Sequence, residues 1–216
     1  NPAAAASAAL SAFTILGEEH GQPFHSSPLE TPEVMSGEVA APGLGGANLH
    51  ASRSGIACLV ADDEDDACAI AADLLSFLPD HNDAAPPFEE TADPSDRLTE
   101  DLESIVPDNP NKPYDMVKVI ETVVDDGRFV QLFDAYAENI IIGFARLGGR
   151  SVGVIANQPQ VLAGCLDIDA SIKAARFIRT CDAFNLPRLT VEGVPGFLHG
   201  VMQEWGGIIG HGAKLL

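Results

Sequence analysis

Seven prolines fall within residues 79–113, among many Asp, Glu and Asn residues, and they limit what this chain of 216 residues can fold into. Proline lacks a backbone N–H and clashes inside a helix, so this composition sustains neither a long helix nor a central strand. We therefore predict an extended connector over 79–113, with no regular helix through 84–96. The chain accordingly divides into an N-terminal piece, 1–78, and a C-terminal piece, 114–216.

The charge of the chain is strongly acidic and unevenly placed. The formal net charge is −20, and residues 1–110 contain 21 acidic residues but only two basic ones, Arg53 and Arg97. Such a charge repels nucleic acid and anionic lipid, so neither is an expected partner. No apolar run reaches the roughly 18 residues of a membrane span. The Ala-rich residues 3–9 lack the basic flank of a secretory signal, so we expect a cytoplasmic protein.

The residue types that commonly bind metals are not arranged for that role. The cysteines are widely separated and form no Cys-x-x-Cys pair, so we expect four buried, reduced thiols. They are Cys58, Cys68, Cys165 and Cys181. The acidic run 62–66 lacks the alternating ligands and the glycine of a calcium loop. It favours instead the first turn of a helix, where negative charge is stabilising, and we predict no metal site.

Hydrophobic periodicity predicts strands and helices in both pieces. In the N-terminal piece, residues 55–61 are a short strand candidate, and the pattern over 67–78 indicates one face of a helix. The C-terminal piece begins with a short helix over 116–124. Two β-rich runs, 140–147 and 151–156, flank Gly148-Gly149, which is a strong hairpin signal.

The rest of the C-terminal piece continues this alternation. Apolar residues recur with helical period over 170–184, and Asp169 or Ser171 is the candidate N-cap of this helix. Residues 188–191 are predicted to form a short strand. A last helix is predicted through residue 216, with an apolar face that stays exposed unless another chain or further residues cover it. Trp205, Ile208 and Ile209 form the centre of this face. A solvated helix surface is expected for Lys173, Arg176 and Arg179.

Short motifs follow one another in order through the second half of the chain. They are Asn111-Lys112-Pro113-Tyr114-Asp115, Val154-Ile155-Ala156-Asn157-Gln158-Pro159, Leu166-Asp167-Ile168-Asp169, Lys173-Ala174-Ala175-Arg176-Phe177, Cys181-Asp182-Ala183-Phe184-Asn185, Val194-Pro195-Gly196-Phe197-Leu198 and Gly212-Ala213-Lys214-Leu215-Leu216. They resemble the carboxyltransferase (β) subunit of the biotin-dependent acyl-CoA carboxylases, the group that includes propionyl-CoA and acetyl-CoA carboxylases. In that family the sequence continues past 212–216 into a strand and a Gly-Gly loop, so the resemblance implies a central fragment.

The resemblance implies an α/β fold of the crotonase-like (ClpP/crotonase) type, a ββα superhelix. Two partial lobes are expected: the end of the N-terminal carboxyltransferase lobe over 1–78, and the first half of the C-terminal lobe over 114–216. The family transfers CO2 from carboxybiotin to the α carbon of propionyl-CoA or acetyl-CoA. In the family biotin is carried on a separate carrier domain, so the resemblance implies that none is covalently bound to this chain. The implied partners are a biotin carboxylase/biotin carrier subunit, an acyl-CoA and further copies of the chain in a homo-oligomer.

The family's chemistry relies on backbone N–H groups, arranged as oxyanion holes, rather than on a side-chain nucleophile. The six histidines accordingly have no convincing partner at the spacing of a catalytic triad. If residues 11–15 match the family's segment just after its first hole, residues 3–9 stand where the family has Gly-Gly-Gly-Ala-Tyr; an N-terminus that has diverged from the family is the alternative. The second hole is expected past residue 216. Neither hole is assignable and the catalytic residues stay unknown. The chain alone is therefore expected to bind biotin or acyl-CoA weakly and to transfer no carboxyl group.

The resemblance does indicate a wall of the biotin-side cleft. The residues that it implies as cleft lining are Pro195, Gly196, Phe197, Leu198, Asn157 and Gly164. A plain strand-to-helix turn with a core phenylalanine is the alternative for the loop, and a capping role is the alternative for Asn157. His199 and Gly210 depart from the family's Pro and Arg. Two alternative functions therefore stay open: a truncated, inactive paralogue, and the carboxyltransferase subunit of an acyl-CoA decarboxylase.

Overall fold

The computed structural model describes residues 2–26, 41–99, 101–109 and 112–215. The chain forms two compact units. The first comprises residues up to 73 together with 133–136, and the second comprises 74–132 and 137–216. The connector therefore belongs to the second unit, while the lobe boundaries inferred from the sequence remain a prediction.

The first unit contains short helices and a small parallel sheet. Its elements are α1 (Pro2–Leu10), β1 (Ile15–Gly17), α2 (Ala41–Gly45), α3 (Ala47–Leu49), a π-helical turn (His50–Ser54), β2 (Leu59–Ala61) and the start of α4 (Glu64–Leu75). β1 pairs with β2 in parallel, with Ile15 opposite Leu59. The first turn of α4 is acidic, and the carboxylate of Asp63 accepts the N–H of Asp66 at 2.8 Å. The prediction that the acidic run begins a helix is confirmed.

The second unit is built on a four-stranded mixed sheet. Its elements are α5 (Leu102–Ile105), α6 (Met116–Val123), a 3-10 turn (Asp125–Gly127), β3 (Val130–Leu132), β4 (Ile140–Leu147), β5 (Arg150–Asn157), a 3-10 turn (Leu162–Gly164), α7 (Ile168–Ala183), β6 (Arg188–Val191), α8 (Val201–Trp205), α9 (Ile208–Gly212) and a 3-10 turn (Ala213–Leu215). The strand order is β3-β4-β5-β6, and only the β5–β6 pairing in it is parallel. The predicted hairpin is confirmed, since Gly148 and Gly149 take the positive φ angles of 57° and 77° that a tight two-residue turn requires.

Helices cover both faces of this sheet, because β4 and β5 are apolar on both sides. On one face, Met116 and Ile120 of α6 pack against Ile141 and Val154. On the other face, the ring of Phe177 in α7 lies 5.2 Å from the ring of Phe144. Strands that are buried on both faces read as continuous apolar runs, as residues 140–147 do.

No regular helix runs through 84–96, as predicted, although bends and a turn interrupt this stretch. The expectation of an extended chain over all of 79–113 is wrong at α5, where residues 102–105 form one short helical turn. The connector is attached to the hairpin through backbone hydrogen bonds. The N–H of Glu89 donates to the carbonyl of Gly149 at 2.8 Å, and the N–H of Ser151 donates to the carbonyl of Pro87 at 3.1 Å. Residues 100, 110 and 111 of the predicted connector lie outside the described residues.

The predicted last helix is wrong as a single element. Gly207 has a φ of 84°, in the left-handed region, so α8 ends at Trp205 and a new helix begins at Ile208. Trp205 and Ile209 are 83% and 79% exposed, which confirms the expected exposed surface, but Ile208 is buried. Residue 216, assigned to the same face, lies outside the described residues.

Three smaller predictions need correction. The N-cap of α7 is Asp167, whose carboxylate accepts the N–H of Ala170 at 2.9 Å, rather than Asp169 or Ser171. Lys173 is buried rather than solvated, because its side chain turns toward backbone carbonyls of the sheet unit. None of the four cysteines forms a disulfide, but Cys68 is exposed and Cys165 half-buried, so only the other two are buried as expected.

Candidate functional site

A groove of about 790 Å³ lies within the second unit, where β5 and β6 end. Its walls come from these strand ends, from α7 and from the segment that contains α8 and α9. Apolar side chains dominate the lining, among them Ile155, Ile178, Val191 and Ile208. The ends of strands converge at this point of the fold because parallel β5 and β6 run in the same direction.

The loop that follows β6 forms one rim of the groove. Leu166 lies beside it in a short parallel bridge: the N–H of Leu166 donates to the carbonyl of Gly196 at 3.0 Å, and the N–H of Leu198 donates to the carbonyl of Leu166 at 2.8 Å. Gly196 has a φ of 137°, and a methyl group placed on it would meet no atom within 4 Å. The backbone at Gly196 is therefore open to close approach by another group.

Phe197 is half-exposed at this rim. Its side chain is 44% exposed, and a methyl group on Gly212 would lie 2.8 Å from its ring. Part of the ring thus lies against the backbone of α9 at Gly212, while the remainder stays exposed. Such a ring is less buried than a core phenylalanine, and its exposed part is a flat apolar surface.

Asn157 both lines the groove and holds a neighbouring turn. It lies at the end of β5, lines the groove and is buried. Its side-chain amide donates to the carbonyl of Gly164 at 2.9 Å, which fixes a turn whose glycine has a φ of 76°. Only part of its polar surface can therefore face a ligand.

Three of the six predicted cleft residues line the groove, and the other three lie next to residues that line it. Asn157, Phe197 and Leu198 line the groove, whereas Gly164, Pro195 and Gly196 do not. Gly164 receives the amide of Asn157, and Gly196 is hydrogen-bonded to Leu166, another lining residue. Ligand contact by any of the six remains a prediction.

The charged groups around the groove are acidic. Glu192, Glu204 and His199 belong to its lining, and none of its lining residues in the described ranges is Lys or Arg. A ligand carrying several phosphates would meet two carboxylates and no lysine or arginine side chain in this lining. The groove suits a neutral, flat ligand better than a polyanion.

Sequence reasoning missed the helical wall of the groove. Ile178 of α7 and Ile208 and Ile209 of α9 all line it, although the last two were assigned to a helix face without a partner. Periodicity shows that such residues share a face, but it does not show which strand end that face meets.

In the ranges that the structure covers, no three His, Cys, Asp or Glu side chains are grouped closely enough to hold a metal ion. Within the same described ranges, no helix has the length and apolar character needed to cross a membrane.

Comparison with known proteins identifies the family. The profile of the carboxyl transferase domain matches residues 2–216. The chain belongs to the carboxyl transferase domain family. This result confirms the resemblance drawn from the motifs.

Curated relatives of this carboxyl transferase domain are about half identical to it. The chain is 50% identical over 210 residues to the methylmalonyl-CoA decarboxylase subunit alpha of Veillonella parvula, covering 97% of this chain and 41% of that protein. It is 47% identical over 210 residues to the propionyl-CoA carboxylase beta chain of Roseobacter denitrificans, again covering 97% and 41%. The human mitochondrial propionyl-CoA carboxylase beta chain is 46% identical over 210 residues, with 97% and 39% covered. The chain spans about two fifths of the length of these relatives.

Solved structures share the fold of this carboxyl transferase domain. The crystal structure of transcarboxylase 12S with hydrolysed methylmalonyl-coenzyme A bound superimposes with a TM-score of 0.93 at 45% identity, covering 98% of this chain and 41% of that chain. A single-chain, multi-domain long-chain acyl-CoA carboxylase gives a TM-score of 0.79 at 26% identity, covering 97% and 20%. The expected α/β fold of the crotonase-like class is confirmed.

Proposed function

We propose that the chain forms part of a biotin-dependent carboxyltransferase, which moves CO2 between carboxybiotin and the α carbon of propionyl-CoA or acetyl-CoA. The observation that carries this proposal is the superposition on transcarboxylase 12S, at a TM-score of 0.93 over 98% of the chain, of a structure that holds hydrolysed methylmalonyl-coenzyme A. Sequence identities of 46–50% to subunits of propionyl-CoA carboxylase and methylmalonyl-CoA decarboxylase support the same chemistry.

The groove fits the bicyclic ring of biotin, carried on a separate domain, better than it fits coenzyme A. Its lining is apolar, and its charged members are acidic. Phe197 would contact the planar ureido ring, and the open backbone at Gly196 would let this ring approach closely. Carboxybiotin, when bound, supplies the carboxyl group. The residues of this chain would exclude water from it and orient it, which is the step on which carboxyl transfer depends.

Partner subunits follow from the same proposal. A biotin carboxylase/biotin carrier subunit would deliver the biotin, in the cytoplasm, and further copies of the chain would complete a homo-oligomer. Four large apolar side chains on α8 and α9 are more than half exposed, and we propose this surface for assembly. They are Val201, Met202, Trp205 and Ile209. Transcarboxylase 12S itself assembles as a hexamer.

A second function is favoured by one observation. The methylmalonyl-CoA decarboxylase subunit of Veillonella parvula is 50% identical to this chain, so a decarboxylase that passes the carboxyl group from methylmalonyl-CoA to biotin is the alternative. Both functions share the carboxyl-transfer step. They differ in the direction of transfer and in the partner subunits.

The test is a chimera, because the chain spans about two fifths of its relatives. The corresponding segment of the Roseobacter denitrificans beta chain is replaced by this chain. Carboxybiotin and propionyl-CoA or acetyl-CoA are then supplied, and methylmalonyl-CoA or malonyl-CoA is followed by mass spectrometry. Turnover on the order of 1 per second or faster is expected. A folded, assembled chimera without transfer would refute the proposal, and transfer from methylmalonyl-CoA to free biotin alone would favour the decarboxylase.

A matched pair of variants ties the activity to the groove. Gly196→Ala places a methyl group in open space at the rim, at a φ of 137° that alanine rarely adopts. Gly148→Ala does the same at the tip of the hairpin, where φ is 57°. Both substitutions strain the backbone, but only the first should lower carboxyl transfer. Equal losses in the two variants would show that strain, rather than the rim, is responsible.

A further inference from the structure

A polar cluster lies between the start of β4 and the start of α7, formed by the buried Asn139 and Lys173 and the half-buried Asp167. Asn139 is 2% exposed. Its side-chain amide donates to the carbonyl of Cys165 at 2.8 Å and to the carboxylate of Asp167 at 3.1 Å. The backbone carbonyl of Asn139 accepts the N–H of Gln158 at 3.0 Å. Because buried donors must be satisfied, these contacts fix residues 165–167 against the sheet.

Lys173 holds the other side of Asn139. Its ammonium group donates to the carbonyl of Ile140 at 2.8 Å and to the carbonyl of Ala137 at 3.3 Å. Ala137 has a φ of 45°, an angle that non-glycine residues adopt only when surrounding contacts hold them. The backbone on both sides of Asn139 is therefore constrained. These constraints fix the position from which the Asn139 side chain extends.

Residues 166–168 in turn carry the rim of the groove. Leu166 exchanges two backbone hydrogen bonds with the loop, to the carbonyl of Gly196 and from the N–H of Leu198. Ile168 donates its N–H to the side-chain carbonyl of Gln203 in α8 at 3.0 Å. The short segment 166–168 thus anchors both the loop 194–198, the ligand loop, and helix α8, which follows that loop.

We propose that Asn139 is a positioning residue for the ligand loop 194–198. It is not among the groove-lining residues. It acts through Cys165 and Asp167, which set the place of Leu166 and hence of Gly196 and Phe197. The effect on catalysis rests on the proposed function. The link between Asn139 and the ligand loop rests only on the hydrogen bonds.

The test uses Asn139→Leu, which keeps the volume of the side chain and removes its donors, and Asn139→Asp, which keeps the shape. The matched control is Ser171→Ala. Ser171 is also fully buried, and its hydroxyl donates to the carbonyl of Asp167 at 2.8 Å, but this bond lies within the first turns of α7. It makes no link to the sheet.

The readout is amide hydrogen exchange in the full chain. In both Asn139 variants the N–H groups of Leu166 and Leu198 should exchange about tenfold faster, the effect of one lost buried hydrogen bond on local opening. Exchange at Val154, in the core of β5, should stay unchanged, and Ser171→Ala should leave Leu198 unchanged. Unchanged exchange at Leu198, or equal acceleration at Val154 or in the control, would overturn the proposal.

A second readout separates this inference from the proposed function. In the chimera, Asn139→Leu should raise the KM for biotin about tenfold and leave the KM for the acyl-CoA unchanged. A normal KM for biotin would overturn the positioning role. If the unmutated chimera transfers no carboxyl group, the proposed function fails, and the exchange experiment still decides whether Asn139 holds the loop.

Discussion

The ammonium group of Lys173 lies 2.8 Å from the carbonyl oxygen of Ile140, in a site where only 4% of the lysine is exposed. The sequence pattern predicts a basic, solvated helix surface here, but one of its lysines is buried and donates hydrogen bonds to the backbone. Replacing Lys173 by Met should lower the free energy of unfolding by about 1–3 kcal/mol, because the carbonyls of Ile140 and Ala137 lose their donor. Urea denaturation followed by circular dichroism measures the change.

Arg179→Met is the control for this substitution, since Arg179 lies on the same helix and is exposed. It should change the free energy of unfolding by no more than about 0.5 kcal/mol. Equal effects of the two substitutions would contradict a structural role for the buried ammonium group.

Gly153 leaves no room for a side chain. A methyl group on it would lie 2.5 Å from the sulfur of Cys181 and 3.3 Å from the ring of Phe177, so α7 could not keep its distance from β5. Gly153→Ala should therefore destabilise the chain by about 1–3 kcal/mol. Gly210→Ala is the opposite case, because a methyl group on Gly210 would have no atom within 4 Å. Alanine also favours a helix, so the free energy of unfolding should rise by up to about 1 kcal/mol. Thermal unfolding of both variants tests the contrast, and a stable Gly153→Ala protein would refute the packing argument.

Burial raises the pKa of the Cys181 thiol from 9.0 to about 12, although the nearby Arg188 guanidinium acts in the opposite direction. The folded chain therefore keeps this proton at pH values where the unfolded chain releases it. The stability that follows is fully present below pH 9 and is lost as the pH rises from 9 toward 12. Cys181→Ala should show a shallower loss of stability over this range, measured by urea denaturation at successive pH values.

Alkylation provides an independent check of the same thiol. Only the thiolate reacts, so the exposed Cys68 should be modified by iodoacetamide long before Cys181 in the folded chain. Mass spectrometry of the digested protein gives the order of labelling. Early modification of Cys181 would mean that its environment opens readily.

Arg146 connects three parts of the second unit. Its guanidinium group lies 4.3 Å from the centre of the Phe77 ring, donates to the carbonyl of Ser76 at 3.2 Å and pairs with Glu89 of the connector at 3.0 Å. Lysine can replace the charge but not the planar fork, so Arg146→Lys should cost about 1–3 kcal/mol. Arg150→Lys, at an exposed position on the neighbouring strand, should cost less than about 0.5 kcal/mol. Urea denaturation compares the two, and equal stability would contradict the connecting role.

Much of the second unit could be predicted because its signals are local. Two β-rich runs around Gly148-Gly149 specify a hairpin, and the strand over 188–191 was predicted with the bounds that it has. The family and the fold class followed from ordered motifs and are confirmed by the comparisons.

The groove and the cluster could not be predicted, because they depend on contacts between distant segments. The groove collects residues from Ile140 to Leu215, and nothing in the pattern around Lys173 shows that backbone carbonyls face it. The break at Gly207 depends on a backbone angle that glycine permits but does not require. Exposure of Cys68 likewise depends on which face of α4 is left uncovered.

The parallel pairing of β5 with β6 has a consequence for the order of folding. The β4–β5 hairpin closes across a two-residue turn and can form within about 1–10 μs. The β5–β6 pair forms only after the whole of α7 has crossed the sheet, because parallel neighbours need a long connection. Non-local pairings of this kind are slow, since loop closure precedes any gain from the new contacts. The groove is therefore completed late, and a nascent or partly unfolded chain holds a finished hairpin before it holds a binding surface.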